Sequence, residues 1–246
     1  MQKKNSFGLI VPTLNEEKNI EIVLKKIPKK LLDEILVIDG HSNDKTLAVA
    51  KKMGFNCILQ DGSGLGDAYR SGARKLKTDY MIILDADGSH KPEDIKKLIE
   101  KALEGFDLVV ASRLRGHVKS ADMTFFRLYA NYAIAFAMRF LFRVPLTDPW
   151  MGFRIINRKK FLGLNTTSQG QEVDLEMSIK GARNGFKISE IDSFEPKRMH
   201  GKSKFNVFFE GMRAGVLFVR EFIVPNESHK ESSLIKFLYK MQKKFS

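Results

Sequence analysis

Short, almost unbroken apolar runs alternate with stretches that are apolar only every third or fourth residue, and this alternation constrains the fold more than any other feature of the chain. FGLIVP (7–12), EILVIDG (34–40), NCILQ (56–60), DYMIILDAD (79–87) and FDLVVASR (106–113) have the length and branched content of strands. NEEKNIEIVLKKI (15–27), NDKTLAVAKKM (43–53), GDAYRSGARKL (66–76) and PEDIKKLIEKAL (92–103) carry helical spacing between them. A strand that is apolar on both faces must be covered on both. The pattern therefore predicts an α/β fold, a Rossmann-like, mostly parallel central sheet with helices on both faces.

In such sheets ligands bind beyond the carboxyl ends of the strands. Acids stand at those ends: Asp39 closes the second run, and Asp85 and Asp87 close the fourth, followed by Gly88, Ser89 and His90. Asn15 is expected to cap the first helix and Ser42 or Asn43 the second, while Pro92, Glu93 and Asp94 suit a first helical turn. Two carboxylates one residue apart just past a strand can hold a hard divalent cation, Mg2+ or Mn2+, that shares a diphosphate.

The character changes after Arg113. MTFFRLYANYAIAFAMRFLFRV (123–144) reads as a long helix, apolar and aromatic over much of its circumference but broken by Arg127, Arg139 and Arg143. FRIINRK (153–159) and FKISEIDSF (186–194) read as strands, EVDLEMSIKGARN (172–184) as a helix. FNVFFEGMRAGVLFVREFIV (205–224) is cut by Glu210, Arg213, Arg220 and Glu221, so it is not expected to span a bilayer. Residues 234–246 place Leu234, Phe237, Leu238, Met241 and Phe245 on one helical face and lysines elsewhere, a pattern suited to an anionic lipid surface or a partner. One domain (1–224) followed by a basic amphipathic tail (225–246) is expected.

A chain of 246 residues suits one substantial core. Its single cysteine, Cys57, excludes an internal disulfide. The basic start reaches Pro12 and acids too soon for a signal peptide. A net charge of +13 asks for an anionic partner: nucleic acid, a membrane surface or a phosphate-bearing substrate. Neither zinc ligands nor an aromatic RNA-binding signature is present, which argues against nucleic acid.

Seven blocks, IVPTLNEEKNI (10–20), VIDGHSNDKT (37–46), GLGDAYRSGARK (64–75), LDADGSHKPEDI (84–95), ASR (111–113), DPWMGFRI (148–155) and RMHGKSKF (198–205), occur in an order and spacing that resemble the inverting GT-A glycosyltransferases, and among them the polyprenyl-phosphate (dolichol-phosphate) mannose synthases. The resemblance spans roughly residues 7–210 and implies a GT-A nucleotide-sugar transferase fold. It implies that Pro12, Leu14, Glu16 and Asp39 hold the donor nucleotide. Asp85, Ala86 and Asp87 fall on the metal and diphosphate motif, with Ser89 on the metal side. Arg198 and Lys204 match basic residues that close over the diphosphate. Arg113, Arg127 and Asn131 match positions for an acceptor phosphate, which makes Asp87 and Arg113 the expected catalytic residues. His90 and Asp148 are secondary candidates.

The reaction so implied moves a sugar, mannose from GDP-mannose, to a polyprenyl or dolichyl phosphate with inversion. A phosphate is already anionic near neutral pH, so no residue is assigned as a base. UDP-glucose is the alternative donor, because DADG also resembles glucose-transferring cousins, whereas GLG, Tyr69 and HGKSK favour mannose. Two departures stand out: Asp39–Gly40 replaces a pair of acids, and Met151 replaces a small residue. Peripheral attachment to the cytoplasmic membrane face, directly or through a membrane-protein partner, is expected.

Overall fold

A computed structural model describes residues 5–115, 120–121, 123–201 and 207–223. Seven strands, β1 (Phe7–Thr13), β2 (Glu34–Asp39), β3 (Asn56–Leu59), β4 (Tyr80–Ile83), β5 (Leu108–Ser112), β6 (Arg154–Asn157) and β7 (Ile188–Asp192), form one sheet in the order β3-β2-β1-β4-β6-β5-β7. Eight α-helices accompany them among the described residues: α1 (Ile20–Lys26), α2 (Thr46–Lys52), α3 (Leu65–Lys75), α4 (Ile95–Leu103), α5 (Phe125–Phe142), α6 (Arg158–Gly163), α7 (Val173–Arg183) and α8 (Val207–Ile223).

The expected α/β architecture is present. All seven residues of β1 are buried, which requires cover on both faces of the sheet centre. β1 runs parallel to β2 and β4, aligning Ile10 with Leu36 and with Ile83. β5 and β7 are also parallel. The exception is β6, antiparallel to both β4 and β5, with Ile155 opposite Ile82 and Val109. A four-residue apolar strand reads the same in either direction, so its pattern carries no signal for that reversal.

The expected helix caps are not used. α1 begins only at Ile20 and α2 at Thr46, and neither Asn15 nor Ser42 precedes a first turn. Asn15 instead takes a left-handed backbone, φ 56°. Its side chain accepts from Asn43 N at 2.8 Å, and the Ser42 hydroxyl accepts from Asn15 N at 2.9 Å while donating to Asp39 at 2.6 Å. These polar residues tie the loops after β1 and β2 together at the carboxyl end of the sheet.

α5 and α8 lie together, Phe142 meeting Phe218 with ring centres 5.5 Å apart. α8 is anchored on α7 by ion pairs, a buried one from Arg220 to Glu176 at 2.9 Å and one from the buried Glu221 to Arg183 at 2.8 Å. The far sides of both helices stay in solvent: Phe125, Phe126, Tyr129, Tyr132, Phe136 and Phe140 of α5 and Phe208, Phe209 and Phe222 of α8 are exposed. Among the described residues no helix is long and apolar enough to cross a membrane. Residues 225–246, where the amphipathic tail is expected, lie outside the described residues.

Candidate active site

β4 ends at Ile83, so Asp85 and Asp87 stand in the loop just beyond the strand rather than on it. Asp87 folds that loop on itself: its Oδ1 accepts from the Ser89 amide at 2.9 Å and from the Ser89 hydroxyl at 2.6 Å. Burial pushes the Asp87 carboxyl up, but His90, the two Ser89 bonds and Arg198 outweigh it and hold the group below its ordinary range. Asp85 is oriented by His90, whose Nε2 lies 2.9 Å from Asp85 Oδ2 and whose ring stacks on Phe153. Burial opposes the imidazolium, yet the bond to Asp85 and the charges of Asp85, Asp87 and Glu195 raise the His90 pKa. Gly152 closes the other side, since a Cβ there would stand 2.9 Å from Asp85 Oδ2. Two oriented carboxylates and a hydroxyl fit a hard cation. Among the described residues no three His, Cys, Asp or Glu side chains cluster to hold one alone. Substrate oxygens would complete its shell, as is usual for Mg2+ on a diphosphate.

A cleft of about 460 Å³ opens from this loop toward β1 and β2. Pro12, Leu14, Glu16, Asp85, Ala86, Asp87 and Arg198 all line it. Arg198 spans the cleft, donating from Nη1 to Asp87 Oδ2 at 3.0 Å and from Nη2 to Glu16. Asn19 fixes the same corner, its Nδ2 bonding Glu16 Oε2 at 2.6 Å and the His200 carbonyl at 3.2 Å. Asp39 does not line the cleft: it is buried and spends both oxygens on Ser42, leaving Gly40 at the wall. Opposite, Gly66 lets the start of α3 approach the 168–169 backbone, where a Cβ would meet the Ser168 carbonyl at 2.0 Å. Lys204 lies outside the described residues.

A second cleft of about 150 Å³ adjoins the first between α5 and α8. Ser89, Arg113, Arg127 and Asn131 line it together with Asp85, Asp87 and His90. Arg113 is held on three sides. Nε and Nη2 donate to Asp148 at 2.7 and 2.8 Å, and Nη1 to Glu195 at 3.0 Å. Burial opposes its charge, and these carboxylates more than restore it. Asp148 is fully buried, so it acts on the cleft through Arg113, while Glu190 fixes the adjoining turn by accepting from the Thr147 and Asp148 amides at 2.8 and 3.1 Å. Arg127 stands in the first turn of α5, where the Thr124 hydroxyl accepts from its amide and the helix dipole favours an anion. Asn131 donates to the Thr147 carbonyl at 3.1 Å.

The structure adds residues that the sequence did not single out. Trp150, Gln171 and Glu210 line both clefts, and Asp174 and Arg213 line the first. Asp174 is buried beside Arg154 Nη2 at 3.3 Å, and burial pushes its carboxyl up to about 7 against the pull of that guanidinium. Trp150 carried a signal, being the sole tryptophan within the DPWMGFRI block. Glu210 appeared only as a charge interrupting an apolar run.

Residues 9–163 match the family model of glycosyl transferase family 2. The chain belongs to glycosyl transferase family 2. This family 2 chain is 30% identical over 192 residues to the Haloferax volcanii glycosyltransferase AglJ, covering 78% of its own length and 63% of the relative's. It thus spans less than two thirds of that relative. An uncharacterized Methanocaldococcus jannaschii protein is 32% identical over 196 residues, with 76% and 80% covered. Among solved structures, a glucosyl-3-phosphoglycerate synthase of Mycobacterium tuberculosis, crystallised with Mn2+, UDP and glucosyl-3-phosphoglycerate, superposes with a TM-score of 0.73 at 18% identity, over 91% of this chain and 82% of that one. Its fold is that of this family 2 chain, and the Mn2+ it holds agrees with the expectation of a divalent cation.

Proposed function

We propose that the protein transfers a hexose from a nucleoside diphosphate sugar to a polyprenyl phosphate presented at a membrane surface. The observation that carries this reading is the second cleft. It joins the acidic loop, holds Arg113 and Arg127 beside the start of α5, and lies between two helices whose outer faces expose a row of aromatic side chains. Cationic groups next to a greasy surface suit an anionic head on an apolar chain.

The residues divide the work. Pro12, Leu14, Glu16 and Ala86 wall the nucleotide cleft, and Asp85 and Asp87 would hold the cation. When bound, that cation neutralises charge building on the leaving diphosphate. Arg198, already seated between Glu16 and Asp87, stands where a diphosphate would meet it. Arg127, with Arg113 fixed by Asp148 and Glu195, orients the acceptor phosphate. An acceptor oxygen attacks the anomeric carbon as the bond from that carbon to the diphosphate oxygen breaks on the opposite face, inverting the configuration. The attacking phosphate needs no proton removed.

Mannose from GDP-mannose is the donor favoured by the sequence blocks. A second reading is favoured by the structural neighbours, described with UDP-glucose and phosphoglyceric acid: glucose transfer to a small phosphorylated acceptor. The test is product formation from GDP-mannose, UDP-glucose and UDP-N-acetylglucosamine, each offered a short polyprenyl phosphate or 3-phosphoglycerate, with and without Mn2+. Metal-dependent lipid-linked mannose supports the reading. Lipid-linked glucose changes the sugar, and transfer only to phosphoglycerate rejects the lipid acceptor.

A further inference from the structure

The residues common to the two clefts mark a position that chemistry defines. If the donor diphosphate lies in one cleft and the acceptor phosphate in the other, the transferred sugar must sit where they meet, because its anomeric carbon bonds first to one and then to the other. The shared lining is Asp85, Asp87, Trp150, Gly152, Gln171 and Glu210. Asp85 and Asp87 are committed to His90, Ser89 and Arg198.

Gln171 and Glu210 are placed differently. Glu210, on the first turn of α8, is 6% exposed; its Oε1 accepts from Arg213 Nη1 at 2.8 Å, and its Oε2 is buried without a hydrogen-bond partner among the described residues. A buried carboxylate oxygen without a donor is costly, and burial raises the Glu210 carboxyl above its usual range despite Arg213. Gln171, half-buried just ahead of α7, uses its backbone carbonyl in a turn to Asp174 N at 3.1 Å and lines both clefts with a side chain that ends in an amide. The complement of one fixed acceptor and one amide that both donates and accepts is a neutral polyhydroxyl group.

We propose that Gln171 and Glu210 read the hydroxyls of the transferred hexose, with Arg213 orienting Glu210. The inference rests on the donor reading above and assigns its sugar contacts. The test compares Mn2+-supported binding of GDP with GDP-mannose, and of UDP with UDP-glucose, by calorimetry in the wild type, Gln171→Ala and Glu210→Gln. The expected result is nucleotide affinity within about 2-fold of wild type in both variants, while the sugar-bearing ligand loses about 10-fold, the size of one good polar contact. Gln171→Ala breaks no side-chain bond among the described residues and keeps the test valid should Glu210→Gln misfold. Equal loss for nucleotide and nucleotide sugar overturns the assignment in favour of a structural role, as does unchanged binding of both. Reduced transfer with intact sugar binding overturns it in favour of a role in the chemical step. If the wild type binds no nucleotide at all, the donor reading itself fails, which is separable from a wild type that binds both forms and variants that do not discriminate.

Discussion

Arg198 donates to Asp87 at 3.0 Å and to Glu16 with its other terminal nitrogen, so one guanidinium bridges the acidic loop after β4 and the loop after β1. The arginine therefore occupies a carboxylate that a cation would also use. Replacing it should have opposite effects on two ligands. In Arg198→Ala, Mn2+ alone should bind more tightly, because Asp87 loses a competing cation. The Mn2+ complex of GDP or UDP should bind about 10- to 100-fold more weakly, the worth of one charged hydrogen-bonding partner. Free-ion Mn2+ resonance and calorimetry read the two separately, and a change of the same sign in both would reject the bridge as a competitor for metal.

Asp148 is fully buried and takes two bonds from the Arg113 guanidinium and a third from the Arg113 amide. Removing the Asp148 charge leaves Arg113 with Glu195 alone and sets an amide nitrogen, which cannot accept, against one of its buried N–H donors. Asp148→Asn should therefore cost about 3 kcal/mol, a fall in Tm of roughly 6–12 °C for a chain of this size. Arg74 and Asp61 make a bond of 2.6 Å, as short as these, but in solvent. Arg74→Ala should leave Tm unchanged. Thermal melts of both variants make the comparison.

Gly152 abuts the Asp85 carboxylate, where an added methyl would come within 2.9 Å of Oδ2, whereas Gly215 within α8 has open space around its Cα. Gly152→Ala must push Asp85 aside. Transfer should fall by about 10- to 100-fold, as small displacements of reacting groups do, with Mn2+ affinity falling in parallel. Gly215→Ala should instead stabilise the fold by about 0.5–1 kcal/mol through helix propensity. Full activity in Gly152→Ala would mean that Asp85 has room to adjust.

These contrasts show where the sequence was informative. Apolar runs and the acids that follow them located the sheet, its carboxyl end and the Asp85–Asp87 loop, because those features depend on local pattern. The blocks matched by resemblance brought Glu16, Asp87 and Arg198 to one cleft from positions far apart in the chain. The reversal of β6 was not legible, since a strand's direction follows from how α5 returns the chain. Asn15 and Ser42 read as caps because a side chain that can cap a helix can equally bond a neighbouring loop. Gln171, Asp174 and Glu210 carried no signal, because their place in the clefts follows from packing α7 and α8 against the sheet.

Glu176 holds Arg220 at 2.9 Å and Lys180 at 2.9 Å within a buried group. Burial raises its carboxyl, but those cations dominate and pull it from an ordinary 4.5 to about 2. A depressed carboxylate stabilises the fold above its unfolded pKa, and that stability drains away as pH falls from 4.5 through 2. A shift of this size corresponds to about 3 kcal/mol. Urea unfolding from pH 7 to pH 2.5 should show wild type well above Glu176→Gln at neutral pH and the two converging in acid. A constant gap across that range would mean that the loss comes from packing rather than from charge.

Phe125, Phe136 and Phe140 are each more than two-thirds exposed, and Phe136 stacks on Phe140 with ring centres 6.2 Å apart. A run of exposed aromatics beside the cleft that Arg113 and Arg127 line marks an interaction surface, and the proposed acceptor makes that surface a membrane. Changing all three to Ala removes exposed area only, so Tm should hold. Sedimentation with vesicles containing an anionic phospholipid should fall sharply. Transfer to a long polyprenyl phosphate embedded in those vesicles should fall with it, while transfer to a short, dispersed polyprenyl phosphate should persist. Loss of both transfers would place the aromatic face in the catalytic fold, and retention of both would remove the membrane from the proposed reaction.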